Sequence, residues 1–176
     1  MICVTGSART GTSMMMQTLV NLGYKTPAPK FFSKDKWLIS KNSKGFYELT
    51  TEVENGVKHH NYKGQAIKLF PGCLWETPKE YVDKLIICYR NPVDATKSYI
   101  PIHKYLKEPY TPLEIYNANY SLIEEYIDGV NHIFINFDVM ITTPEIEINR
   151  LIEFLGIHPS EEVIDKTIKN INICHY

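Results

Sequence analysis

Two stretches of this sequence carry residue types and spacings suited to holding a polyanion. The first is Thr5-Gly6-Ser7-Ala8-Arg9-Thr10-Gly11-Thr12-Ser13, which follows the apolar run Ile2 to Val4 and leads straight into the apolar stretch Met14 to Leu22. Two glycines five apart let the backbone curl so that successive N–H groups point into one concavity, and a following helix adds the partial positive charge of its N-terminus. The spacing is that of the phosphate loop Gly-x-x-x-x-Gly-Lys-Ser/Thr, except that Thr12 stands where the lysine would be and Arg9 is the loop's only cation. In a nucleoside triphosphatase that lysine reaches the β- and γ-phosphates beside Mg²⁺, so this loop is expected to take a different anion. A purely structural glycine turn is the competing reading. Strand, loop, cation, hydroxyls and helix in the required order weigh against it.

The second stretch runs from Lys84 to Tyr99. Leu85 to Tyr89 is a continuous apolar run of the kind a parallel strand buried on both faces requires. A helix start follows it, with Asn91 suited to the N-cap, Pro92 to the first helical position and Asp94 to the first turn. Arg90 therefore falls where a strand gives way to a helix, and Ser98 lies about two turns into that helix. An arginine offers a planar fork to a phosphate dianion, and a serine adds a hydroxyl donor. Lys68 is the one charge in Gln65 to Phe70, an otherwise apolar strand-like run ending in the turn signal Pro71-Gly72. It either snorkels out at the strand end or is held in a site. His59-His60 makes a poor metal site, because neighbouring side chains diverge and no Cys or carboxylate stands at ligand spacing. No metal is expected.

The first stretch resembles the 5'-phosphosulfate loop of the sulfotransferase family, and Arg90-Asn91-Pro92 with Ser98 is similar to that family's 3'-phosphate motif. Asn42-Ser43-Lys44-Gly45-Phe46-Tyr47-Glu48 is similar to a short segment of some bacterial-type members, and Phe137 to Gly156 to the Tyr-Glu-Asp-Leu and Phe-Leu-Gly segments. The resemblance implies 3'-phosphoadenosine 5'-phosphosulfate (PAPS) as donor. It puts Gly6, Ser7, Ala8, Arg9, Thr10, Gly11, Thr12 and Ser13 on the 5'-phosphosulfate and Arg90 and Ser98 on the 3'-phosphate. Lys68 matches the lysine of a Lys-x-His strand end in cytosolic members, but Phe70 replaces the histidine that serves as their base. Their C-terminal Arg-Lys-Gly segment is not found. Arg9 and Lys68 are thus expected to act on the reacting sulfate, and Glu48, then His59 or His60, is the candidate base. A sulfotransferase acting on a small-molecule or carbohydrate hydroxyl or amine is the reading. A small P-loop kinase and a non-catalytic PAPS-binding protein are its alternatives.

These residues need a scaffold that brings distant loops together. Strand-like runs alternate with helical ones, predicting a three-layer α/β fold of P-loop type, a mainly parallel sheet of four or five strands flanked by helices. Such sheets bind ligands beyond the carboxyl ends of their strands, where residues 6–13, 68 and 90 all fall. Helices are expected over Met14 to Leu22, from Thr111-Pro112 to about Asp128, from Pro144 to Leu155 and from Ser160 to about Asn170, and a strand over His132 to Asp138. The length of 176 residues suits one domain, 1–176. A formal charge of −1 argues against broad nucleic-acid or membrane-surface binding. Four cysteines without a C-x-x-C pair, no charged-then-apolar leader and no run of about eighteen apolar residues lead to the expectation of a cytoplasmic protein.

Overall fold

A computed structural model describes residues 1–27, 36–41, 45, 47 and 62–172. Among these residues four strands, β1 (Ile2–Thr5), β2 (Ala66–Lys68), β3 (Lys84–Tyr89) and β4 (His132–Asn136), form one sheet in the order β2-β1-β3-β4. Every pairing is parallel. The helices are α1 (Thr12–Asn21), α2 (Lys36–Lys41), α3 (Pro71–Trp75), α4 (Pro92–Leu106), α5 (Pro112–Tyr126), α6 (Phe137–Thr142), α7 (Pro144–Leu155) and α8 (Glu161–Asn172). A short 3-10 turn spans Lys79–Tyr81.

Side chains alternate across the sheet with period two, and two apolar cores result. Ile2, Val4, Ala66, Ile86, Cys88 and Ile135 face one side, where Met14, Met15, Met16 and Leu19 of α1 pack with Met140, Ile148, Leu151 and Ile171. Cys3, Ile67, Leu69, Leu85 and Ile87 face the other, against Leu74 of α3 and Ile123 and Tyr126 of α5. Helices on both faces make the expected three-layer α/β architecture. The methionine triplet is core filling, with each side chain almost wholly buried.

Several boundaries follow the capping chemistry. Asn91 accepts from the Val93 N–H at 2.9 Å, with Pro92 at N1 of α4. Thr111 and Glu114 form a reciprocal capping box at the start of α5. Others depart from expectation. Pro71-Gly72 opens α3 instead of making a turn, because proline at N1 gives up an N–H that would have no helical acceptor. The strand expected to run to Asp138 stops at Asn136, whose side chain caps α6 by accepting from the Asp138 and Val139 N–H groups. Leu113, whose spacing with Tyr116, Tyr120, Ile123 and Ile127 predicts one apolar face for α5, is 50% exposed in its first turn.

Candidate donor-binding site

The β1–α1 loop is shaped by close approach. Gly6 has φ +151°, and a Cβ there would lie 2.4 Å from the Cys88 carbonyl oxygen and 2.7 Å from Thr10 Oγ1. Gly11 has φ +93°, and its Cβ would lie 2.5 Å from Cδ2 of Phe137. Both positions therefore exclude a side chain on sterics as well as on backbone conformation. Thr10 Oγ1 closes the loop by donating to the Ser7 carbonyl at 2.7 Å. Gly11 occupies the N-cap of α1 with no side chain to close the first turn. That helix end keeps the character of an anion site.

Two cations reach this loop from different directions. Lys68 ends β2 and has the same side-to-side parity as Ala66, so it stands on the α1 side of the sheet. It is 7% exposed, and its Nζ donates to Ser13 Oγ at 3.1 Å. The ammonium missing at position 12 thus arrives at the start of α1 from the neighbouring strand. Arg9, itself left-handed at φ 66°, donates from Nε to Ser98 Oγ of α4 at 3.0 Å. Sequence positions 89 residues apart, belonging to the two separate motifs, are thereby in direct contact.

Arg90 follows β3 and is held from one side. Its Nε lies 3.3 Å from Asp138 Oδ1, and its guanidinium sits 4.5 Å from the centre of the Phe137 ring. Asp138 also accepts from the Asn91 N–H at 3.3 Å. Among the described residues the two terminal guanidinium nitrogens have no hydrogen-bond partner, which leaves the fork available to a phosphate. Phe137 and Asp138 lie in the Phe137 to Gly156 segment, for which the resemblance implies no site residue. The only signal that could have marked them was a carboxylate just beyond a strand end, on the same sheet edge as Arg90.

The structure also adds three side chains of α5, Tyr116, Asn119 and Tyr120, that the two sequence motifs do not mark. Tyr116 donates to the Arg90 carbonyl and Tyr120 to the Cys88 carbonyl, each at 2.7 Å, and Asn119 Nδ2 donates to Ser7 Oγ at 3.1 Å. Burial pushes the Tyr120 phenol well above its ordinary range, with the neighbouring Tyr116 adding to the effect, so Tyr120 is a proton-holding donor. Phe70 is 48% exposed beyond β2. The candidate bases Glu48, His59 and His60 lie outside the described residues. No helix among the described residues is long and apolar enough to cross a membrane.

No curated protein matches the chain. Among solved structures it is similar to the "Sulfotransferase Domain from the Curacin Biosynthetic Pathway", with a TM-score of 0.59 at 10% identity over 92% of this chain and 75% of that one. It is also similar to mouse sulfotransferase SULT7A1 complexed with PAP, with a TM-score of 0.57 at 16% identity. That match takes in 97% of this chain and 63% of the mouse chain, so the protein spans under two thirds of that relative's length. At such identities the two likenesses establish the fold. The family comes from the sequence itself: the model for a sulfotransferase domain matches residues 1–176, and the chain belongs to that family.

Proposed function

We propose that the protein transfers a sulfuryl group from PAPS to a hydroxyl or amine of a small-molecule or carbohydrate acceptor. The observation that carries this reading is the convergence of Lys68, Arg9 and Arg90 on one edge of the sheet, two of them hydrogen-bonded to Ser13 and Ser98. A donor with phosphates at its 3' and 5' positions matches two separated cationic loops. The PAP bound in the mouse relative supports the same assignment. When bound, PAPS supplies a sulfuryl group on a phosphate leaving group.

The chain's own residues then have separable tasks. The loop 6–13 offers backbone N–H groups, with hydroxyls from Ser7, Thr12 and Ser13, to the 5'-phosphosulfate, while the Thr10 hydroxyl holds the loop closed. Arg9 and Lys68 neutralise charge that builds on the leaving phosphate oxygen as the acceptor oxygen or nitrogen bonds to sulfur and the sulfur–oxygen bond to the phosphate breaks. Arg90 and Ser98 hold the 3'-phosphate and so fix the donor's register. The acceptor's proton goes to a base, for which Glu48 is the first candidate and His59 or His60 the second. Glu48→Gln is expected to lower turnover by about 10² to 10⁴ with PAPS binding retained. Normal turnover in Glu48→Gln with loss in His59→Ala or His60→Ala would move the base there.

An exposed Phe70 in place of a histidine base favours one second reading, a protein that binds PAPS or PAP without catalysis. A titration series with PAPS, PAP and Mg-ATP, run beside a turnover assay, separates the readings. Metal-independent PAPS binding with turnover supports the proposal. Binding without turnover of any acceptor supports the second reading, and a preference for Mg-ATP abolished by EDTA would replace both with a kinase.

A further inference from the structure

We propose that Asn119 of α5 is a positioning residue for the donor, acting through Ser7, and that its neighbours Tyr116 and Tyr120 lock the loop it serves against the end of β3. The inference rests on the donor assignment above and adds a residue to it. Positions 116, 119 and 120 share one face of α5 at i, i+3 and i+4. The rings of Tyr116 and Tyr120 are 4.6 Å apart, so the two phenols form one unit.

The register of the sheet explains why such a face is needed. β1 pairs with β3 only as far as Thr5 opposite Ile87, after which β1 turns away into the loop. The Cys88 carbonyl is then left facing Gly6 with no strand N–H to meet it, and a buried carbonyl requires a donor. Tyr120 supplies that donor, and its hydroxyl lies beside that of Thr10. Tyr116 does the same for the Arg90 carbonyl.

Proton accounting gives Asn119 its task. Three hydroxyls face three carbonyls: Thr10 donates to Ser7, Tyr120 to Cys88 and Tyr116 to Arg90. Each of those single protons is used. The Ser7 hydroxyl differs, because it accepts from the Asn119 amide, which fills a lone pair and leaves its own proton to give. Ser7 is buried in the loop between Gly6 and Ala8. An amide that makes a loop hydroxyl a donor suits a loop built for an anion. A carboxylate at the same position would draw that proton to itself.

The test is a double-mutant cycle on Ser7→Ala and Asn119→Ala, read by calorimetric binding of PAP, with urea unfolding of all four proteins. Each single change is expected to weaken PAP about tenfold, the worth of one hydrogen bond, and the double change also about tenfold, since Asn119 acts only through the Ser7 hydroxyl. Losses that multiply to about a hundredfold, or an Asn119→Ala protein that binds PAP like the wild type, would overturn the proposal. Asn119→Asp keeps the side chain's shape and packing, and it is expected to lose more PAP affinity than Asn119→Ala. Wild-type affinity in Asn119→Asp would also overturn it. A wild-type protein that binds no PAP sinks the donor assignment and this inference with it, whereas a wild type that binds with multiplying losses sinks this inference alone.

Discussion

The loops after β1 and β3 leave the same edge of the sheet and each leads into a helix, yet they are built on opposite principles. The β1–α1 loop ends in a glycine N-cap, and nothing on that residue closes the first turn of α1. The β3–α4 loop ends in Asn91, whose side chain takes the Val93 N–H for itself. A helix whose first turn is closed by its own cap has little backbone left for an anion, so any anion at the second loop must be read by a side chain. Arg90 is the side chain proposed for that task, and it is braced by Asp138 and Phe137. The first loop works the other way, with backbone and hydroxyls in front and one lysine brought in from β2. One site depends on where the main chain can go, the other on how a guanidinium is held.

The two loops are expected to fail in different ways. The largest effect is expected from Gly6→Ala, because a methyl group would meet the Cys88 carbonyl at 2.4 Å and backbone cannot swing aside. Left-handed strain and overpacking together should cost about 4 kcal/mol of stability, read as a lowered urea midpoint. Gly23→Ala is the control: its φ is +96°, but nothing lies within 4 Å of the added carbon, so a loss of about 1 kcal/mol is expected. Equal losses at the two glycines would show that the loop's close approach to β3 does not matter.

Lys68→Ala should leave the fold and donor affinity nearly intact and lower kcat by roughly 10² to 10³, the effect of one lost electrostatic donor in the transition state. A change confined to KM would place Lys68 in ground-state binding. Arg90→Ala should cost about 2 to 4 kcal/mol in binding of 3'-phosphorylated nucleotides and scarcely affect adenosine 5'-phosphosulfate. Equal losses for both nucleotides would deny Arg90 its proposed role. Asp138→Asn keeps the shape but removes the charge that steadies Arg90 in a half-exposed setting, and about 1 kcal/mol of PAP affinity should go with it. An Arg90→Ala background should abolish that loss.

The strands feeding the two loops carry one thiol each, and these give the smallest and most local test. Burial pushes the Cys3 thiol from 9.0 up to about 12, and it raises Cys88 further still. Both should resist alkylation at pH 8 in the folded protein, while the half-buried Cys73 reacts. The sign of the pH effect follows: above pH 9 the unfolded Cys3 thiol ionises and the folded one does not, so its contribution lowers stability progressively until about pH 12. Unfolding midpoints that stay level between pH 9 and 10.5 in the wild type, or that fall as steeply in Cys3→Ala, would remove Cys3 from the account.

What the sequence by itself determined was local. Glycine spacing, the Asn91-Pro92 start, the Thr111-Pro112 start and the apolar runs of β1 and β3 are short-range chemistry, and the elements formed where that chemistry placed them. The α/β class followed from their alternation. It failed where two local codes overlapped. Pro71-Gly72 reads equally as a turn or a helix start, and Phe137-Asp138 continues an apolar strand until Asn136 caps a helix. The tertiary structure alone decided which side chains meet across long gaps: Lys68 with Ser13, Arg9 with Ser98, Arg90 with Asp138, and Asn119 with Ser7. None of those pairs leaves a trace in spacing, because the sheet order β2-β1-β3-β4 sets them, and that order puts β1, the first strand in the chain, in the interior. Parallel strands need crossovers, so neighbours in the sheet are distant in sequence. A site built at their common edge is assembled from residues that only the fold can introduce to one another.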